Sequence, residues 1–417
     1  MTRQIWKNKS FNFYLLGQTV SSLGDGFYLV AFMWLALQLS NGKGIVLGGV
    51  FSIYTLGEVL FGFIAGPIAD RINKKKALIV IDIIRGIIVT LLFIFVRSQM
   101  VSIAHLYIFI FAFSFFSPFF HRIEFTIIPQ LVEKDLLLSA NGILGGSKKL
   151  MQIIAPALGG IFVGFFGVAS CLLFDAISFF FSAVCIMLIS ISKATPKKVD
   201  INLRNFLSDV RIGYRFLIGS AFLTTLAIYA ACINFLGSPI FPLLPLISQR
   251  ANQGSAGYGM MMSSISIGFI ISSFVIGVIG KVIKKIHIVF VGLLLSALSV
   301  ALFGFTSNAI ILLMGSVILG LGMNFSNLPI LTLFQEKIPQ DRIGVVSSFV
   351  FTISQIAMPI SMILSGILVD CVDLSYIFAG VSIVLIAGAL IGFALPQFRK
   401  DEITTVTQMS IPEEVGK

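Results

Sequence analysis

The sequence predicts an all-α integral membrane protein with twelve transmembrane helices in two six-helix, pseudo-symmetric bundles. Hydrophobic residues make up 57% of the 417 positions and charged residues only 11%, against roughly 25% in an ordinary soluble domain. The apolar residues fall in continuous runs of about 20, the length at which a helix crosses a bilayer. Because these runs do not alternate apolar and polar positions, they argue against a membrane β-barrel.

Twelve apolar runs define the spans. Each is predicted to be helical because backbone groups in lipid must be hydrogen-bonded within their own segment. The spans lie at about 11–39, 44–68, 77–96, 102–124, 143–166, 168–192, 218–247, 257–279, 286–305, 308–334, 343–369 and 375–395. The first run, Phe11–Leu39, is too long for a cleavable signal peptide and holds Asp25 at its middle.

Lysine and arginine residues set the predicted orientation. With the N-terminus in the cytoplasm, 25 of them fall in inner loops and inner span ends, and three fall outside: Lys43, Arg97 and Arg250. Positively charged loops stay on the cytoplasmic side of a membrane, so both termini are predicted to be cytoplasmic. The net charge of +11 is therefore a signal of topology, and membrane lipid rather than nucleic acid is the expected partner.

Sequence motifs typical of other functional classes are missing. The cysteines and histidines show neither Cys-x-x-Cys nor metal-ligand spacing; they are Cys171, Cys185, Cys232, Cys371, His105, His121 and His287. We therefore predict no disulfide, no metal and no cofactor. Without a nucleophile motif or a Gly-x-x-x-x-Gly-Lys-Ser/Thr phosphate loop, the chain is predicted to be neither an enzyme nor an ATP-driven pump.

The longest polar stretch between spans, residues 193–217, separates six spans from six. It predicts an N-terminal bundle at 1–192, a cytoplasmic linker at 193–217, a C-terminal bundle at 218–395 and a cytoplasmic tail at 396–417. Within the linker, Leu203, Phe206, Leu207 and Val210 recur at helical spacing. They predict an amphipathic helix that lies either on the inner membrane face or against the bundle.

The two halves repeat each other weakly. Phe63–Ile68 aligns with Phe274–Ile279 at an offset of 211, and Ile128–Gln130 recurs as Ile338–Gln340 at an offset of 210. Two matches at nearly one offset, together with the six-and-six arrangement, predict a parallel duplication. Duplicated halves related by an axis along the membrane normal are typical of transporters.

The loop after the second span carries a family resemblance. Gly66-Pro-Ile-Ala-Asp70-Arg71-Ile-Asn73-Lys74-Lys75-Lys76 resembles the Gly-x-x-x-Asp-Arg-x-Gly-Arg-Arg signature of the major facilitator superfamily. Gly62 and Gly66 form a small-residue packing face. Asn73 replaces the second Gly of the signature, and Asn tolerates left-handed backbone. The basic run is expected to anchor the loop at lipid phosphates.

Further stretches resemble the drug-efflux branch that contains macrolide exporters. They are Gly17–Gln18, Ser22–Asp25, Asp82–Arg85, Ala140–Gly142, Ala155–Gly160, Phe174–Ser178, Leu333–Ile338 and Met358–Pro359. The resemblance implies a secondary active exporter of small amphipathic compounds that works by proton antiport through alternating access. We expect a monomer in the bacterial plasma membrane. A dedicated exporter of one metabolite such as a siderophore, or an importer, stays an open alternative.

The resemblance also implies a cytoplasmic gate, in which the signature loop bridges to the other half. The candidate partner is Asp341-Arg342, at the start of span eleven. Asp82 and Arg85, one helical turn apart, are predicted to form a structural ion pair that joins this gate. The predicted gate comprises Gly66, Asp70, Arg71, Lys74, Lys75, Asp82, Arg85, Arg122, Glu124, Asp341 and Arg342.

Two acidic residues lie deep in the predicted spans, where an ionisable group indicates function. Asp25 lies about 21 Å into span one at helical rise, and Glu58 is similarly central in span two. Both are proton-coupling candidates, because a carboxyl group in hydrocarbon holds a proton more readily than in water. The alternative is a structural carboxyl bonded to a Ser or Thr, the role predicted for Asp175. Since spans seven to twelve hold no deep acid, carboxylate coupling is predicted to belong to the N-terminal half.

Prolines interrupt span seven, where Pro239, Pro242 and Pro245 follow at three-residue spacing. Such a run cannot sit in an undisturbed helix, and freed backbone groups in a membrane need protein or a water-filled cavity. The alternative is that Pro245 only ends the span. In the family, spans one, four, seven and ten line the path. The substrate-path candidates are Gln18, Asn234, Pro239, Pro242, Asn324, Asn327 and Gln355.

Overall fold

A computed structural model describes residues 5–69, 72–190, 211, 214–339 and 343–399. The helices are α1 (Lys9–Leu39), α2 (Gly44–Ala69), α3 (Lys74–Arg97), α4 (Ile103–Leu131), α5 (Leu137–Leu188, preceded by a 3-10 turn at Lys134–Leu136), α6 (Ala221–Gly237), α7 (Ile240–Arg250), α8 (Gly254–Ile279), α9 (Lys285–Phe305), α10 (Ala309–Lys337), α11 (Ile343–Cys371), α12 (Leu374–Ala394) and α13 (Pro396–Arg399). Within these ranges, eleven helical segments are long and apolar enough to cross a membrane.

Side-chain caps begin several helices where the sequence changes from polar to apolar. Asn8 caps α1, Ser102 caps α4 and Asn308 caps α10, each by accepting a backbone N–H of the first turn. Such caps satisfy donors that have no partner within the helix. They fix the helix ends in the polar layers on either side of the apolar core.

Helix α5 contains the region predicted as spans five and six. Gly167 interrupts it with φ 79° and ψ 168°, a backbone region that favours glycine, and it falls between the two predicted spans. Residues on either side of this break contact the same part of α1. The Thr19 and Ser147 hydroxyls are 2.6 Å apart, and Gln18 Nε2 donates to Ser182 Oγ at 3.4 Å. The two arms of α5 therefore run antiparallel to each other, and both lie along α1.

The predicted break in span seven corresponds to one interruption of the helix, at Ser238 and Pro239, whose φ and ψ angles stay helical. Helix α6 ends at Gly237, and Pro239 precedes the first residue of α7. Pro242 lies in the first turn of α7 and Pro245 lies within it. Because α7 continues to Arg250, the alternative that Pro245 ends the span is wrong.

The helices run between two ends of the bundle that differ in charge. We call the end that carries Lys74, Lys148 and Lys285 the basic end, and the end that carries the turns at 40–43, 98–102, 251–253 and 372–373 the opposite end. Helices α1–α5 form the N-terminal half and α6–α12 the C-terminal half. Hydrogen bonds join the halves in the part of the described bundle nearer the opposite end; their donors are Gly44, Ile45, Ser52, Thr55 and Ser255.

Glycines allow the halves to touch at backbone distance near the opposite end. A Cβ built on Gly48 would lie 2.1 Å from the Met362 carbonyl oxygen, and one built on Gly259 would lie 2.1 Å from that of Pro156. Toward the basic end, a Cβ on Gly62 or Gly146 would meet no atom within 4 Å. In the described part of the bundle, the backbone contacts between the halves at Gly48 and Gly259 thus lie near the opposite end, and we call them the seal.

One pair of contacts follows the predicted duplication. Lys74, at the start of α3, donates to the Thr126 carbonyl near the end of α4 at 3.2 Å. Lys285, at the start of α9, pairs with Glu336 near the end of α10 at 2.8 Å. The lysines are 211 positions apart and their partners 210, the offsets found in the sequence.

Most of the predicted linker and nearly all of the tail lie outside the described residues, including the four apolar positions of the predicted amphipathic helix. Where the linker ends, Phe216 and Leu217 are buried. The Tyr214 ring lies 6.3 Å from that of Phe349 in an edge contact. This short part of the linker packs on the C-terminal half.

Candidate functional site

A cavity of about 480 Å³ lies at the centre of the bundle. All of its lining residues except Met262 and Ser266 come from the N-terminal half. The polar lining consists of Gln18, Ser21, Ser22, Asp25, Tyr28, Tyr54, Arg85, Ser117, His121, Lys148, Gln152 and Ser266. The apolar lining includes Leu29, Phe32, Met33, Val50, Phe51, Ile110, Phe113, Phe120, Met151 and Met262. The cavity thus offers both charged groups and an aromatic and methionine-rich wall.

Asp25 lines this cavity from the middle of α1. The residue before it is a glycine for a steric reason. A Cβ on Gly24 would lie 2.1 Å from Ser178 Oγ and 2.5 Å from Asp175 Oδ1. The Asp175 side chain is fully buried, and Ser178 donates to its Oδ1 at 3.4 Å. The acid predicted to be structural therefore packs against Gly24, the residue before the acid predicted to carry protons.

Arg85 enters the cavity from α3 and is only 4% exposed. Its guanidinium carbon lies 4.8 Å, 5.0 Å and 5.3 Å from the ring centres of Phe113, Phe120 and Phe179. Such contacts stabilise a cation where water is excluded. Nη2 also donates to Ser117 Oγ at 3.0 Å.

The predicted ion pair between Asp82 and Arg85 does not form in this structure. Among the described residues, no ion pair joins them within 4 Å, and neither carboxylate oxygen of Asp82 has a hydrogen-bond partner. Both residues lie on α3, three positions apart, but the Arg85 guanidinium contacts the aromatic rings and Ser117 and not Asp82. Arg85 thus lines the cavity, and its place in a cytoplasmic gate stays a prediction.

Glu124 pairs with Lys148 where the cavity approaches the basic end. The ammonium of Lys148 lies 2.5 Å from both Glu124 carboxylate oxygens, which joins α4 to α5. His121 Nδ1 lies 3.8 Å from the same carboxylate, and its side chain is 59% exposed. Arg122, the other predicted gate residue here, is exposed. Sequence reasoning missed Lys148 and His121 as cavity residues, because neither lies deep within an apolar run.

The lysines of the signature loop bind protein carbonyls. Lys75 donates to Met187 O at 2.8 Å and to Ile189 O at 2.6 Å, at the C-terminal end of α5, where cations are favoured. With Lys74 on Thr126, these two lysines fasten α3 to its neighbours. The expected anchoring of the basic run at lipid phosphates stays a prediction.

Asn73 has φ −68° and ψ 106°, and its side chain accepts the Lys76 N–H at 3.0 Å. It is a helix cap with extended backbone, so the expectation of a left-handed turn is wrong.

Four predicted gate residues, Asp70, Arg71, Asp341 and Arg342, lie outside the described residues. Gly66 lies in α2, three residues before its end.

Glu58 does not line the central cavity. It is half-buried on α2, and its Oε1 has no hydrogen-bond partner among the described residues. The structure therefore separates the two proton-coupling candidates.

Of the substrate-path candidates, Gln18 alone lines the central cavity; it is 2% exposed. Asn234 and Asn327 line a separate cavity of about 30 Å³ within the C-terminal half. Asn324 donates to Ser272 Oγ at 2.7 Å, which ties α10 to α8. The others are Pro239 and Pro242, which are buried, and Gln355, which is half-buried.

Comparison with known proteins agrees with this architecture. The family model described as Major Facilitator Superfamily matches residues 14–362 and 241–408. The chain is 23% identical over 398 residues to macrolide efflux protein A of Streptococcus pyogenes, covering 95% of this chain and 98% of that protein. It is 22% identical to the multidrug efflux pump Tap of Mycolicibacterium fortuitum, covering 94% and 97%. It is 21% identical to the putative bacilysin exporter BacE of Bacillus subtilis, covering 90% and 91%.

Solved structures share the fold. The nucleoside transporter NupG superposes with a TM-score of 0.71 at 16% identity, covering 93% of this chain and 99% of that one. An inward-facing bacterial homologue of the lysosomal transporter Spinster superposes with a TM-score of 0.69 at 14% identity, covering 94% and 97%. The bundle, its cavity and its relatives agree: this chain is a multi-pass cell membrane protein and belongs to the Major Facilitator Superfamily.

Proposed function

We propose that the protein is a secondary active exporter of small amphipathic compounds, driven by proton antiport through alternating access. The central cavity carries this proposal. It lies inside the bundle, combines Asp25 and Arg85 with a Phe- and Met-rich wall, and lies on the basic side of the seal between the halves. A mixed apolar and charged lining suits a compound with an apolar body and an ionisable group. The named macrolide and multidrug efflux relatives favour export.

The topology that goes with this function has twelve crossings, with both termini in the cytoplasm. The antiparallel arms of α5 supply two crossings and α6 with α7 supplies one. The basic end then faces the cytoplasm, where lysine-rich loops stay. In that orientation the cavity faces the cytoplasm, the side from which an exporter loads. The bundles at 1–192 and 218–395, joined by the linker at 193–217, are the moving bodies, and one chain suffices.

The proton site that we propose is Asp25. It lines the cavity, so substrate and solvent reach it, whereas Glu58 does not line it. Asp175 packs against Gly24, the residue before Asp25. In the proposed cycle, Asp25 holds a proton before the substrate binds. Binding of a cationic substrate group beside Asp25 favours release of that proton, which is the coupling that an antiporter needs.

A dedicated exporter of one metabolite is the second candidate, and the similarity to the putative bacilysin exporter BacE favours it. The two are distinguished by the range of compounds moved. Cells with and without the protein are given labelled macrolides, dipeptides and nucleosides, with and without a protonophore. We expect expression to lower the accumulation of several amphipathic compounds and the protonophore to abolish the difference. Movement of one compound alone supports the dedicated exporter, and raised accumulation identifies an importer.

A further inference from the structure

Asp370, near the end of α11, holds the first turn of α2 across the boundary between the halves. Its carboxylate accepts the backbone N–H of Gly44 at 2.6 Å and that of Ile45 at 3.1 Å. The first N–H groups of a helix have no partner within it, and negative charge is favoured there. One carboxylate of the C-terminal half therefore satisfies two donors of the N-terminal half.

This contact depends on glycines that bring α2 and α11 together. A Cβ on Gly44 would lie 2.7 Å from the Gly366 carbonyl oxygen, and a Cβ on Gly366 would lie 2.4 Å from that of Gly44. A side chain at either position would push the helices apart. It would also move the carboxylate of Asp370 away from both N–H donors.

The described hydrogen bonds between these helices lie in the half of α2 nearer the opposite end. Ser52 still donates to the Pro359 carbonyl at 3.0 Å, but a Cβ on Gly62 would meet nothing within 4 Å. The central cavity lies on the basic side of the glycine contacts. For the cavity to open at the opposite end, the start of α2 must leave the end of α11, and both hydrogen bonds to Asp370 must break.

We propose that Asp370 is a gating residue, whose charged contact with the start of α2 sets how often the opposite end is closed. This inference rests on the alternating access of the proposed function, but on neither its substrate nor its proton. Loss of the negative charge weakens the contact with two helix donors, since hydrogen bonds to an ionised acceptor are stronger than neutral ones. The bundle then spends more time open at the opposite end.

Asp373 provides a matched control at the same end. It lies three residues further on, accepts the Ser375 N–H at 2.8 Å and lies 3.8 Å from Arg250. All of these contacts stay within the C-terminal half. The Ser375 backbone N–H holds the pKa of Asp373 below its usual range, so Asp373→Asn also removes one negative charge. The charges nearest the Asp370 contact in sequence are Lys43, which both variants keep, and Asp373, which only Asp370→Asn keeps.

Two distances report the state of the two ends. In a cysteine-free background in lipid nanodiscs, spin labels at Met100 and Ser307 span the opposite end, and labels at Leu138 and Val282 span the basic end; all four side chains are exposed. We expect Asp370→Asn to lengthen the first distance and shorten the second in a larger fraction of molecules. Asp373→Asn should match the wild type. Unchanged populations in Asp370→Asn, or an equal shift in Asp373→Asn, overturn the inference.

A second variant removes a donor and leaves the acid in place. Ile45→Pro lacks the N–H that Asp370 accepts, and proline is tolerated in the first turn of a helix. We expect the two distances to shift in the same direction but by less. Adding Ile45→Pro to Asp370→Asn should cause no further shift, because the effects of substituting both partners of one contact are not additive. Additive shifts overturn the inference. If Asp370→Asn does not fold, Ile45→Pro alone tests the inference. Distances in Ile45→Pro that match the wild type then overturn it.

The distances are read without substrate or proton gradient. If the distances respond as expected while no compound is transported, the proposed function fails, but the inference that Asp370 is a gating residue is supported.

Discussion

At the scale of single residues, Asp25 and Asp175 occupy different environments. A purely structural carboxyl would be enclosed by its partners, whereas Asp25 is half-buried and lines the cavity. The enclosed acid is its neighbour Asp175, which accepts from Ser178. Gly24 makes this arrangement possible because any side chain there would displace both residues.

Asp25→Asn should imitate a permanently protonated acid. Proton-driven export should collapse, while downhill exchange of substrate should persist, since exchange requires no net proton movement. In proteoliposomes with a gradient of about one pH unit, worth about 1.4 kcal/mol, we expect the wild type to concentrate a compound about tenfold per proton. The variant should show no concentration above equilibrium.

Glu58→Gln is the control for that experiment, because it makes the same change in the same half away from the cavity. Full proton-driven transport by Asp25→Asn, with loss in Glu58→Gln, would transfer the proton site to Glu58. A parallel fall of both transport modes, with reduced protein, would instead indicate a structural carboxyl at Asp25.

Gly24→Ala should destabilise the protein through overpacking. Its methyl group would lie within 2.5 Å of two buried polar atoms, and forcing extra volume into a packed core costs about 1–3 kcal/mol. Thermal unfolding of the purified protein should show a lower midpoint. Gly62→Ala, where a Cβ meets nothing within 4 Å, should unfold no earlier than the wild type.

At the scale of elements, helix lengths could be predicted, whereas helix faces could not. The predicted span 308–334 is Ala309–Lys337 in the structure, and 77–96 is Lys74–Arg97, because apolar run length reports bilayer thickness directly. Contacts such as Lys148 with Glu124 or Gln18 with Ser182 depend on how helices rotate against each other. Helices that are apolar around their whole circumference carry little periodic signal of that rotation.

The junction of α6 and α7 gives a prediction about the prolines of span seven. Pro239 stands at the junction, so Pro239→Ala restores an N–H that can bond to the preceding turn and stiffens the segment. We expect slower transport with near-normal protein in the membrane. Pro242→Ala, within the first turn of α7, should have the smaller effect. Equal transport by both variants and the wild type would show that these prolines serve packing.

At the scale of the whole molecule, the seal and the cavity predict a one-sided accessibility. Met262 and Ser266 line the cavity from the C-terminal half. In a cysteine-free background, a cysteine at either position should react with a membrane-impermeant thiol reagent from the basic end only. A second variant that keeps native Cys371, exposed at the opposite end, as its single cysteine should react from the other side. Whole cells and inverted vesicles distinguish the sides, and reaction of Ser266→Cys from the cell exterior would contradict both the orientation and the seal.

The unequal contribution of the halves to the cavity has a consequence for how the protein evolves. Nearly all cavity residues lie between Gln18 and Pro156, whereas Asp370 and half of the glycine contacts of the seal lie after residue 250. Mutations that alter which compounds are carried can therefore accumulate in the first half without disturbing the C-terminal side of the seal. Under selection for resistance to a new compound, we expect adaptive substitutions to cluster before residue 160, and substitutions after residue 250 to change turnover for all compounds alike.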